Sequence, residues 1–152
     1  MQTTINIDKI MNTITNKADI LVKRVVEEVM DAIHEIPVPI GDPSLWKRPN
    51  NAPPGYVGGH FKKNWQLKID SESISEIEGH DYQGVLESEK AKIPTKAANV
   101  KYYYYANPTP YAYDLEYGRY GVPHSSQAPN GMVRLTAQEF PSIVQKVLQE
   151  LK

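Results

Sequence analysis

The chain has 152 residues, 40% of them hydrophobic and 23% charged, which suits one globular domain with a modest core. Seventeen Lys and Arg against eighteen Asp and Glu leave a formal charge of -1, so no global field draws the chain to nucleic acid or to an anionic membrane. With no cysteine there are no disulfides, thiolate nucleophiles or thiolate zinc sites, and twelve prolines with nine glycines point to long connections. Met1 to Lys9 lack the charged-then-apolar order of a secretory signal, and no apolar run approaches the roughly 20 residues that span a bilayer. The product is expected to stay in the cytoplasm where it is made.

From about Asn6 to Glu35, apolar residues recur at helical spacing: Ile7, Met11, Ile14, Ala18, Leu21, Val22, Val25, Val29, Ala32, Ile33 and Ile36. Asn6 or Asp8 is placed to cap the start, and Pro37 and Pro39 stop the run near Ile36. At about 1.5 Å per residue, such a helix is a rod of roughly 45 Å. It exposes apolar surface unless a sheet or another chain covers it.

Residues 37 to 59 hold six prolines and four glycines, so the sequence predicts a long loop rather than a regular element. Leu45, Trp46, Tyr56 and Val57 make it a loop that docks onto something, since linkers seldom carry large apolar side chains. Trp65, Leu67 and Ile69 alternate with Gln66, Lys68 and Asp70, the pattern of a half-buried strand. The expected sequel is a hairpin of 74–78 with 82–86 around the turn Gly79-His80-Asp81. Asn99 to Ala106 reads as a tyrosine-rich strand in which two rings enter the core and two face outward.

Tyr111 to Tyr117 predicts a short helix ended by Gly118, followed by a second long loop over 118–131. A closing helix from about Met132 to Leu151 carries Phe140, Ile143, Val144, Val147 and Leu148 on one stripe. Pro141 belongs in its first turn if the helix starts near Phe140, and in its interior if it starts earlier.

Candidate chemistry is sparse. His34, His60, His80 and His124 lie on different elements without metal-ligand spacing, so neither a metal nor a cofactor is expected. Asp114 and Glu116 diverge by about 200° on a helix and cannot share an acid-base site; Glu116 is expected to pair with an arginine or a backbone amide. Serine elbows, phosphate loops and His-Glu zinc motifs are missing, which argues against an enzyme. Eight of the ten tyrosines fall between Tyr102 and Tyr120, a candidate stacking platform, yet only Lys101 and Arg119 accompany them. A basic block, with Lys47, Arg48, Lys62, Lys63 and Lys68, precedes an acidic one over 70–89; such blocks complement each other between neighbouring subunits or stand as solvated faces.

The order of parts resembles a known family. After the long first helix come Ile36-Pro37-Val38, then Gly59-His60-Phe61-Lys62-Lys63-Asn64-Trp65, and then Tyr111-Ala112-Tyr113-Asp114-Leu115-Glu116-Tyr117-Gly118 before a closing apolar helix. This is similar to the tail-completion and head-tail joining proteins of tailed bacteriophages, which share a PVDTG-like turn, a Leu-x-x-Ser-Trp-like strand entry and a Tyr-Ala-x-x-x-Glu-x-Gly segment. The chain departs at the turn, where the Pro/Gly-rich insertion 37–59 replaces the compact PVDTG.

The resemblance implies a single α+β domain over 1–152, with long N-terminal and C-terminal helices packed on a small antiparallel β-sheet and two long loops. It implies a structural virion protein of the neck or tail, in a ring of about six or twelve copies that contacts itself and other neck and tail proteins. DNA is expected only as cargo passing through the channel, without specific binding, and no membrane is involved. Interface residues are expected at Leu45, Trp46, Lys47, Arg48 and Tyr56 on the first loop, Tyr103 and Tyr105 on the strand, and Arg119, Tyr120 and His124 on the second loop. The alternative is a nucleic-acid or ligand-binding module built on the tyrosine strand.

Overall fold

A computed structural model describes residues 6–36, 50, 52–118, 125 and 127–152. In chain order the elements are α1 (Ile7–Glu35), α2 (His60–Lys63), β1 (Gln66–Ile69), α3 (Val85–Lys90), β2 (Tyr103–Ala106), α4 (Ala112–Tyr117) and α5 (Val133–Glu150). This is an α+β fold in which the two long helices pack together beside a two-stranded antiparallel sheet.

α1 starts where Asn6 caps it, its side-chain oxygen accepting from the Lys9 amide at 2.9 Å. It ends at Ile36, whose backbone is extended (ψ 134) as a residue before proline prefers. α5 runs antiparallel to α1, with Arg24 on Glu150 at 3.1 Å and Lys146 on Glu28 at 2.7 Å. Such surface pairs contribute only about 0–1 kcal/mol each. Their use is to mark the register: α5 ends level with Arg24.

The sheet pairs Leu67 with Tyr105 and Ile69 with Tyr103. These four side chains turn toward α1, where Leu67 joins Met30 and Ile93 in one cluster and Tyr103, Tyr105 and Ile69 pack against it. A second cluster gathers Ile33, Phe61, Trp65, Ala128 and Met132, and Tyr105 packs against this one too. Tyr105 therefore joins the clusters into one core, with its ring stacked on Trp65 at 5.2 Å between centroids.

The hairpin of 74–78 with 82–86 does not form. The chain reverses instead at Asp70 (φ 52), whose carboxylate accepts from the Lys101 and Tyr102 amides at 2.8 and 2.9 Å. Residues 71–79 then return past β1, fastened by side chains rather than by a backbone ladder. Asn64 accepts from the Ile77 amide at 2.7 Å and donates to the Ile77 carbonyl at 3.1 Å, while Gln66 donates to the Ser75 carbonyl at 2.7 Å. A ladder on that edge would need the Leu67 amide, and the buried Glu89 carboxylate already holds it at 2.7 Å. The other expected strand is divided: Gly84 (φ 68) turns the chain and 85–90 coil into α3.

α5 begins at Val133, so Pro141 lies in its interior. The carbonyl of Ala137 consequently lacks its usual amide donor, but both residues are exposed and water can serve it. α5 has no capping side chain of its own. Its cap comes from α4: the buried Glu116 carboxylate accepts from the amides of Met132 (2.6 Å), Val133 (3.0 Å) and Arg134 (2.8 Å), and from the Arg134 side chain at 3.3 Å. The expected partners of Glu116, an arginine and a backbone amide, are both present. A Cβ on Gly131 (φ +79) would overlap this carboxylate, so glycine is required there.

Burial raises the Glu116 pKa, and the bonds from Met132, Arg134 and Val133 more than offset it, leaving the group below its ordinary 4.5. With the folded value depressed, its contribution is present above the unfolded pKa and is lost as pH falls through the folded one. Glu116→Ala should therefore lower stability by about 2 kcal/mol or more at pH 7. In urea titrations the loss should shrink as the pH is taken below 4.5.

Candidate assembly surface

Two stripes of apolar side chains stand in solvent on the long helices. Along the first half of α1, Ile7 (67% exposed), Met11 (55%) and Ile14 (57%) lie on one line with Ile10 exposed beside them, while Ile20 is exposed on another side of the helix. This segment lies before Arg24 and so beyond the end of α5. It is braced on a different side, where the Asp19 carboxylate accepts from the Ala97 amide at 2.8 Å and meets Lys96 at 3.3 Å. The second stripe is a flank of α5, where Val133 (45%), Phe140 (46%) and Leu148 (39%) remain exposed beside the buried Ile143 and Val147.

Of the residues expected at an interface, Leu45, Trp46, Lys47, Arg48, Arg119, Tyr120 and His124 lie outside the described residues. Tyr56 is exposed. Tyr103 and Tyr105 sit on the inner face of the sheet, against the core, and Tyr105 hydrogen-bonds His34 at 2.6 Å. The outward pair is Tyr102 and Tyr104, with Tyr104 opposite Lys68. Alternation was legible in the strand, but its phase depends on which tyrosine meets Trp65. The α1 stripe was foreshadowed by the apolar period running back to Ile7 and by the length of the rod, whereas the period placed Phe140 and Leu148 on one stripe with Ile143 and Val147, of which only the latter two are buried.

The basic and acidic blocks meet within one chain. His60 on α2 bonds Glu76 and the Gly79 carbonyl, both at 2.7 Å; Lys63 donates to the Glu78 carbonyl at 2.6 Å; and Lys62 stands 5.1 Å over the Tyr82 ring. Both ring nitrogens of His60 face oxygens that only accept, so the doubly protonated ring satisfies them both. The Glu76 bond, then the Gly79 bond, raise its pKa above 6.5. His34 goes the other way, lowered to about 4 by burial and then by the charge of Lys62, and the neutral ring shares a hydrogen bond with the Tyr105 hydroxyl.

His34 also contributes to a cleft of about 330 Å³, together with Asp31, Glu35, Lys62, Tyr82 and Leu86. Its walls offer little free reactivity: Asp31 is paired with Lys90, and His34 with Tyr105. Among the described residues, no group of three His, Asp or Glu side chains is placed to hold a metal ion, and no helix is long and apolar enough to cross a membrane. Comparison of the chain with known protein families, with characterised proteins and with solved structures yields no match.

Stability supplied by the His60 clasp should be fully present below pH 6.5, its unfolded value, and lost as pH rises through the raised folded pKa. Imidazole ¹⁵N spectra at pH 6.5 should show both His60 nitrogens protonated, and Glu76→Gln should move its titration to lower pH. A single neutral tautomer at that pH would contradict the assignment.

Proposed function

We propose that the chain is a ring-forming structural subunit of a tailed-bacteriophage particle, a tail-completion or head-tail joining component that works by protein-protein contact and makes or breaks no bond. The observation that carries the reading is the uncovered first half of α1. A helix of 29 residues, about 43 Å long, leaves its apolar stripe in water where α5 ends, which is costly for a lone chain and is removed by assembly.

The segment Tyr111–Gly118, which carries the family resemblance, supports the reading by the work its fixed positions do. Ala112 packs against the core, Glu116 caps α5 and Gly118 (φ 75) ends α4, so the motif reads as a device that builds this fold rather than as a reaction site. In this reading the subunit needs no cofactor, joins copies of itself and other neck or tail proteins, and resides in the virion.

A second reading rests on the outward sheet face, where Tyr102 and Tyr104 stand with Lys68 beside them, a small platform for single-stranded nucleic acid. Fluorescence anisotropy with single-stranded DNA separates the two, since binding through that face weakens as salt rises.

Light scattering and negative-stain imaging of the purified chain should show closed oligomers at micromolar concentration. Ile14→Glu should keep the helical circular dichroism yet weaken association roughly thirtyfold, the equivalent of about 2 kcal/mol of buried side chain per contact. Deleting 43–57 should likewise leave a folded chain that no longer assembles. A compact monomer at high concentration would overturn the proposal.

A further inference from the structure

We infer that the first half of α1 in one copy packs along the exposed flank of α5 in a second copy, a head-to-tail helix contact repeated from subunit to subunit. This rests on the reading of the chain as a self-assembling subunit and names the surfaces that meet.

The spacing on α1 indicates what covers it. Ile7, Met11, Ile14, Ala18, Leu21 and Val25 follow one another at alternating intervals of four and three, the seam of two helices lying side by side. Within the chain, the second half of α1 already packs against such a helix, the antiparallel α5, and ion pairs at Arg24 and Glu28 mark where that contact ends. The pattern continues toward Ile7 without α5. The unmet surface therefore has the chemistry of a helix partner rather than of a strand or a small ligand.

α5 supplies the matching surface. Ile143 and Val147 are buried, while Val133, Phe140 and Leu148 are exposed along the adjoining flank of the helix, Phe140 one heptad before Val147. From Ile7 to Leu21 is about 21 Å of helix, and from Val133 to Leu148 about 23 Å, so the two stripes have the same reach. The overhang is also lightly charged, with Asp8, Lys9, Lys17 and Asp19 interspersed with Asn and Thr, as the centre of an interface prefers.

Pairing α1 with its own copy about a two-fold axis would cover one stripe and leave the α5 stripe wet. Placing α1 on α5 of the next copy covers both stripes of every subunit. Two different patches joined in this way form a heterologous contact, which closes into a ring when the rotation per subunit divides a full turn.

The chain has no cysteine, so introduced thiols report the contact without background. Met11→Cys and Leu148→Cys chains, mixed in equal amounts and oxidised, should give mixed disulfide dimers several-fold in excess of either homodimer. The double variant should give a ladder of covalent oligomers, because within one chain the two positions are about 20 Å apart along α1 and cannot bridge. Hydrogen exchange of the unmodified chain provides a reading free of substitutions: protection over 7–20 and 133–148 should rise together with concentration. Dominant Met11 homodimers, or oligomers lacking the mixed species and the paired protection, would overturn this contact and leave the assembly reading standing. A chain that stays monomeric would overturn both.

Discussion

The Glu116 carboxylate in the first turn of α5 is the contact on which the rest of the described structure depends. α5 brings no cap of its own, and its leading amides are directed into protein. Each such amide left without a partner costs about 1–3 kcal/mol. One carboxylate serves three of them and so decides where the helix begins. That start in turn settles which residues face inward: Met132 enters the cluster with Phe61 and Trp65, Ile143 and Val147 turn inward, and Val133, Phe140 and Leu148 are left outside. The short helix α4 exists largely to hold this group, and the narrow approach at Gly131 lets the carboxylate reach the amides.

Much of the scaffold was readable from the residues. The bounds of α1 follow from an apolar period, an asparagine cap and a proline stop, all local signals. The two outer and two inner tyrosines follow from strand alternation. What the residues could not show is that side-chain amides would take the place of a ladder. Ile74 to Glu78 has the composition of a strand and is fastened like one, but by Asn64, Gln66 and His60 on a segment before it. Pattern reading detects strands by their own alternation and has no access to a glutamate, Glu89, that occupies the edge they would use. The candidate surface was legible in outline, as a rod too long for its domain, and illegible in detail, because which half of the rod is covered depends on where α5 ends.

The same polar fastening bears on the proposed meeting of copies. An unpaired strand edge invites other strands, and proteins blunt such edges with charge, bulges or cover. Here the Leu67 amide is taken by Glu89, and the returning segment 71–79 runs past β1 with Glu72, Glu76 and Glu78 along it. That side of the sheet resists pairing, while the apolar stripes of the helices stay open. The proposed association is thereby steered toward helix-on-helix contact, where the geometry of side-chain packing limits the partners that fit.

The pairing of α1 with α5 also joins the parts of the described chain that are farthest apart in sequence. A ribosome releases α1 roughly a hundred residues before α5, which at about 5–20 residues per second is a delay on the order of ten seconds. Throughout that interval the nascent helix lacks its own partner along its whole length. In the proposed assembly it would then be open to the α5 of a finished copy nearby, so association would begin on chains still being synthesised.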